Sequence, residues 1–200
     1  MTMTALSARR WGCGKMANYF PISPGKAAWN SSITQAWDIQ EAKAASGKRR
    51  TLCQQAYPAW TFKLKFPALD AAQVVLLMNF YAKMKGKWGS FFYKDYTNNH
   101  VENVELPKNG GQYYCISNLT TMAEPVSEVE NVHLFIDGVE TEDFTVAKGI
   151  ITPTEPPDPD AVVTATYDYY YLVAFNGDLS ISQVFNDLYT VSITLEVVRE

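Results

Sequence analysis

From Phe62 to Asp95 the hydrophobic pattern changes period twice. Phe62, Leu64 and Phe66 alternate with Lys63 and Lys65, which is the period of a half-buried strand. Pro67 is expected to stop that strand, because proline has no N–H for the ladder. A helix is expected over about 70–85. Asp70 is placed to cap it, with Gln73 three residues on to complete a capping box. Val74, Leu77, Met78 and Tyr81 fall on one helical face, and Val75, Leu76 and Phe80 widen it. More than half of the helix should therefore be covered. Lys83, Lys85 and Lys87 gather where positive charge suits the helix dipole, and Gly86 is the expected left-handed residue after the last turn. Phe91, Phe92 and Tyr93 restart a strand.

The rest of the pattern is β-structure and loop. Residues 33–44 and 49–66 form two extended runs on either side of Ser46-Gly47-Lys48 and are expected to pair antiparallel. Short β pieces follow at 101–106 and 112–116. Val132, Leu134 and Ile136 alternate with His133 and Phe135, and Asp137-Gly138 is a two-residue hairpin signal. Phe144 and Val146 are read as the start of its return arm, and Lys148-Gly149 as a further turn before Ile150 and Ile151. Four prolines make residues 153–160 a stiff acidic loop. Residues 161–175 read as one long strand with Val163, Ala165, Tyr167, Tyr169, Tyr171, Val173 and Phe175 on one face. That length predicts a bulge or bend. Asn176-Gly177 turns the chain. In the last strand Tyr189, Val191, Ile193, Leu195 and Val197 face inward. One helix among many short alternating strands predicts a mostly β fold, an antiparallel β-sandwich or barrel with one packed helix and long hairpins.

Composition agrees with a globular domain: 47% of residues are hydrophobic and 19% charged, unlike a disordered chain. The formal charge of -4 argues against a general nucleic-acid binder, which carries a basic field. No apolar run is long enough to span a bilayer, so no membrane insertion is expected. Residues 1–16 read as a disordered or non-native extension, since the MANYFP stretch from Met16 looks like a natural opening. Residues 17–200 read as one domain with a hairpin- and loop-rich insertion at about 97–160.

Candidate chemistry is sparse. His100 lies in a polar loop and His133 points away from the apolar face of its strand, and neither has a partner at metal-ligand spacing. Cys13, Cys53 and Cys115 are widely spaced and form no CxxC pair. Glu155, Asp158 and Asp160 lack the glycine and the bidentate glutamate of a calcium loop and read as a solvated rim. Asp137, Glu140, Glu142 and Asp143 read as a charged rim that protects an exposed hairpin. Lys48, Arg49 and Arg50 form the basic triplet of the chain, read as a solvated turn or a salt bridge between subunits. In Tyr169-Tyr170-Tyr171, alternation sends Tyr170 to the face opposite its neighbours. The chain is therefore read as a non-enzyme without catalytic, cofactor-binding or metal-ligating residues.

The order of these motifs resembles the phage tail family that includes the distal tail proteins of gene transfer agents and related long-tailed phages. The resemblance rests on Ser46-Gly47-Lys48-Arg49-Arg50, Tyr57-Pro58-Ala59-Trp60, the helix within Leu69–Met84 and the link and strand at Gly86–Asp95. It continues through Val132–Gly138, Phe144–Ile151, Pro156–Tyr169, Val173–Asn176 and Ile193–Arg199. Ala174 and Asn176 depart from the arginine and aspartate common in the family. The resemblance implies a virion structural protein of the tail tip. It would form a homo-oligomeric ring, expected to be hexameric, that joins the tail tube protein to the hub or baseplate protein. The tape measure protein is a further expected neighbour, and DNA would pass through the lumen only in transit. The expected contact residues between subunits are Arg49, Arg50, Asp137, Gly138, Tyr169, Tyr170, Tyr171 and Phe175. The other reading is a receptor- or carbohydrate-binding β-sandwich of the tail tip, motivated by the many tyrosines and tryptophans.

Overall fold

The computed structural model describes residues 18–27 and 30–199; the extension expected over 1–16 lies outside the described residues. In chain order the elements are β1 (Ser32–Ala36), β2 (Ile39–Lys43), β3 (Arg49–Cys53), β4 (Ala59–Leu69), α1 (Ala71–Met84), β5 (Ser90–Tyr93) and β6 (His100–Glu105). Then come β7 (Lys108–Asn109), β8 (Gln112–Tyr114), β9 (Glu128–Ile136), β10 (Val139–Thr141), β11 (Phe144–Ala147) and β12 (Ile150–Pro153). The chain closes with β13 (Val163–Phe175), β14 (Ser180–Phe185) and β15 (Leu188–Val197). The fold is mostly β, built of antiparallel sheets with one α-helix, as the pattern predicts.

Strand β13 is the axis. Its C-terminal half pairs with β5 on one edge and β15 on the other, and β15 passes the sheet on to β4, β1 and β14. Its N-terminal half pairs with β6 and β9, and β9 with β10. The register against β6 slips after Ala165 and that against β9 slips after Thr166. That is the irregularity its length predicts, and β13 pairs with four strands of the nine-stranded sheet on either side of it. All seven residues read as sharing one face, from Val163 to Phe175, are buried.

Two layers cover that face. Over the C-terminal half lies α1, with Phe80 5.0 Å from Phe91 and Tyr81 4.9 Å from Phe175, ring centre to ring centre. Over the N-terminal half lies the small sheet β11-β12-β8-β7, which contributes Tyr113 and Ile151 to the core. The Tyr167 hydroxyl, fully buried, accepts from the Ile116 N–H at 2.7 Å and donates to the Ile116 carbonyl at 2.8 Å. One side chain thus satisfies both backbone groups of the segment that leaves β8.

Several local expectations are corrected. Strand β4 runs through Pro67 to Leu69, because the register against β15 slips between Phe66 and Leu69 and the missing N–H falls in that slip. The capping box is as expected: Asp70 accepts from the Gln73 N–H at 2.8 Å, and the Gln73 side chain accepts from the Asp70 N–H. The helix ends at Met84, and Lys85 joins the expected Gly86 in the left-handed region, at φ 56° and 62°. Its covered face is narrower: Val74, Leu77, Phe80 and Met84 are buried, whereas Val75, Leu76 and Met78 are about half exposed. The hairpin at Asp137-Gly138 returns through β10. Phe144 and Val146 belong to β11, which pairs with β12 across Lys148-Gly149 in the other layer. The two extended runs before the helix do pair antiparallel, but each is split. Inner halves β1 and β4 join the main sheet, while β2 and β3 make a separate two-stranded ribbon.

Candidate assembly surfaces

Residues expected to touch neighbouring subunits fall into three groups. Arg49 and Arg50 lie on β3 of the ribbon, whose ten strand residues are all exposed. Lys43 pairs with Arg49 and Ala42 with Arg50, so successive residues alternate between the ribbon's two faces. Arg49 Nε is 3.0 Å from Glu41 Oε1, a pair within the chain, leaving Lys43, Lys48 and Arg50 to make the tip basic. Ile39 and Leu52 are about half exposed on the same ribbon.

Asp137 and Gly138, at φ 50° and 80°, form the β9–β10 turn. Asp137 exchanges hydrogen bonds with Val162: its N–H donates to the Val162 carbonyl, and its Oδ1 accepts the Val162 N–H, both at 2.9 Å. The turn is exposed yet held against the start of β13, so it is a rigid projection.

Tyr169, Tyr171 and Phe175 are corrected to core positions: each is under 5% exposed within the chain itself. Hydrogen bonds hold the first two inward, Tyr169 to Asn118 Oδ1 at 2.8 Å and to the Tyr171 hydroxyl at 3.1 Å. Burial is the main reason both phenols are pushed above their ordinary range. Only Tyr170 of the three tyrosines faces outward. Tyr19 meets it edge-on at 5.3 Å and the Lys94 ammonium lies 5.4 Å over its ring, so it is half covered.

A charge cluster absent from the sequence reading lies beside Tyr170. Asp168 Oδ1 is 2.7 Å from His100 Nδ1, and its Oδ2 accepts from Lys94 Nζ at 3.0 Å and Asn131 Nδ2 at 3.1 Å. Lys94 also reaches Glu130 at 2.5 Å. Burial pushes the Asp168 carboxyl up, but the bonds from His100, Lys94 and Asn131 outweigh it and hold it below the usual carboxylate range. The sequence offers no signal for this cluster, because its members come from four segments brought together by β-pairing. A carboxyl that titrates lower when folded stabilises the fold above the unfolded value of about 3.9. That contribution is lost as pH falls through the folded value. Asp168→Asn should therefore be less stable than the wild type at pH 7, by about 1 kcal/mol, and the two should converge as pH falls below the unfolded value of about 3.9 and through the lower folded one. Thermal melts across that range check it; a constant gap between the curves would refute the assignment.

Several other chemistry-bearing groups among the described residues are paired or buried. His133 Nδ1 is 2.7 Å from Glu140 across the hairpin, both exposed. Burial pushes the Cys115 thiol up to about 12, so it is no nucleophile at neutral pH. Glu124 is 3% exposed, yet both its oxygens are engaged, Oε2 by Trp60 Nε1 at 2.8 Å and Oε1 by Arg199. Among the described residues no three His, Cys, Asp or Glu side chains are grouped so as to hold a metal ion. No helix among them is long and apolar enough to cross a membrane.

No protein-family model matches this chain, and no curated protein matches it significantly.

Proposed function

We propose that this chain is a structural protein of a long-tailed phage virion. Its copies form a ring, roughly sixfold, that joins the tail tube to the hub or baseplate and leaves a lumen for DNA. The reading rests on the order of tail-protein motifs along the sequence. The observation that carries it is the β2–β3 ribbon. A two-stranded ribbon alone is marginal in water, and this one exposes all ten of its strand residues. Its stabilising contacts therefore lie outside the described residues. Arg49 and Arg50 on it, with Asp137 and Gly138 at the β9–β10 turn, are the proposed contact points. The net charge of -4 suits a lumen that does not hold the phosphate backbone.

The test is imaging. Negative-stain micrographs of the concentrated protein should show rings, and antibody labelling of intact tails should mark a disc below the tube. Arg49→Glu with Arg50→Glu should abolish rings while leaving the circular dichroism melt unchanged. Unlabelled tails would overturn the reading, and glycan binding by such a protein would move it to the receptor-binding class.

A further inference from the structure

The outward face of α1 is apolar although nothing among the described residues covers it. Its exposed positions between Ala71 and Ala82 are Ala71, Ala72, Val75, Leu76, Met78, Asn79 and Ala82. Only Asn79 among these is polar. An exposed helix normally carries its charged residues on that side, and a helix apolar all round is a buried one. The surface extends at both ends. At the start of the helix, Tyr189 pairs with Leu69, which sets the β14–β15 tip beside Ala71; Val184 and Phe185 on that tip are 62% and 75% exposed. Past its end, Trp88 is 82% exposed under the Lys85 ammonium. Residues 71–88 hold Lys83, Lys85 and Lys87 and no acidic residue.

The other end of β13 is the complement. Residues 137–160 hold Asp137, Glu140, Glu142, Asp143, Glu155, Asp158 and Asp160 against the single Lys148. Within that acidic rim Val139 is 70% exposed, and Val162, bonded to Asp137, is 49% exposed. The helix packs at Phe175 and the acidic turn at Val163, so roughly 40 Å of strand separates the two surfaces at about 3.3 Å per residue. One molecule cannot bring them together.

We propose that the outward face of α1 is the seat for a second copy of this chain, which docks its Asp137–Val139 turn and Val162 there. Val139 and Val162 cover Val75 and Leu76, and the acidic rim meets Lys83, Lys85 and Lys87. The contact joins two different surfaces, so it is directional, and repetition closes a ring or extends a filament. The proposal rests on the ring reading for its closure and supplies the surface that receives the Asp137 turn.

The test uses two variants, Leu76→Glu and Val139→Arg, each at a side chain exposed in the monomer and so expected to leave its melt unchanged. Sedimentation of the wild type should show large assemblies, and each variant alone should associate at least roughly tenfold more weakly. Mixed one to one, the variants should form a dimer and nothing larger. The first retains a sound acidic turn and the second a sound helix face. Four outcomes overturn the proposal: a wild type monomeric at its solubility limit, a Leu76→Glu chain that assembles normally, a Val139→Arg chain that does so, or a mixture that stays monomeric. Tail labelling reports separately on the ring reading, since a disc at the tail end with any of these outcomes keeps the ring and removes only this contact.

Discussion

Replacing Gly149 by alanine is expected to cost about 3 kcal/mol or more, the sum of a left-handed alanine and a forced displacement of packed backbone. Gly149 sits at φ +69° in the β11–β12 turn. A Cβ there would lie 1.7 Å from the Val126 carbonyl oxygen and 2.8 Å from its carbon. Neither side can yield easily. The Gly149 carbonyl accepts from the Cys115 N–H at 2.8 Å, and the Val126 N–H donates to the Cys115 carbonyl at 3.0 Å. The two strands of that junction are locked through the same buried cysteine. At about 2–4 °C per kcal/mol for a chain of this size, the melting temperature should drop by about 10 °C. Gly110→Ala is the control: φ is +59°, yet nothing lies within 4 Å of its Cβ. It should lose only the backbone part, about 1 kcal/mol. Equal melting temperatures for the two variants would show that the close approach at Val126 is not real.

The positions where the sequence reading succeeded are those decided locally. The Asp70–Gln73 box is written within four residues, and its geometry follows from φ/ψ and side-chain reach alone. That seven residues of β13 share one face needed only the period of the strand. What failed needed to know the partner. Pro67 stays in β4 because β15 slips past it, and Phe144 leaves its hairpin because β12 offers a better neighbour. Tyr169 and Tyr171 went to the core for the same reason. A tyrosine run looks like a contact surface until Asn118, 51 residues away, is found to accept the Tyr169 hydroxyl. The charge cluster at Asp168 was illegible, since His100 stands 68 positions from it. The helix is the instructive case. Val75, Leu76 and Met78 predicted coverage, and the single chain leaves them half bare. The expectation came from the apolar pattern of the helix, which does not say whether the covering residues belong to the same chain.

Glu124→Ala should cost about 2–4 kcal/mol, most of it through a residue 64 positions away. Trp60, 5% exposed, donates its indole N–H to Glu124 Oε2, and the substitution leaves that donor buried without a partner. Arg199 loses less. Its side chain is 38% exposed and can turn to water, and it keeps the Pro58 carbonyl at 2.6 Å and the Tyr57 ring at 5.7 Å. Trp60→Phe, which removes the donor but leaves Arg199 on the carboxylate, should cost less, about 1–2 kcal/mol. The double variant removes donor and acceptor together, so its loss should fall short of the sum by about 1 kcal/mol. Additive losses in denaturant titrations would mean that the indole and the carboxylate do not depend on each other. The consequence reaches the assembly surface through chain connectivity. Tyr57 and Pro58 are the residues by which the β2–β3 ribbon enters β4, and Arg199 holds both from the other side. If the ribbon contacts a neighbouring subunit, loosening its root lets it move as a hinge. Glu124→Ala should then weaken ring formation even at temperatures where the core remains folded, whereas Gly110→Ala, far from that root in the chain, should not.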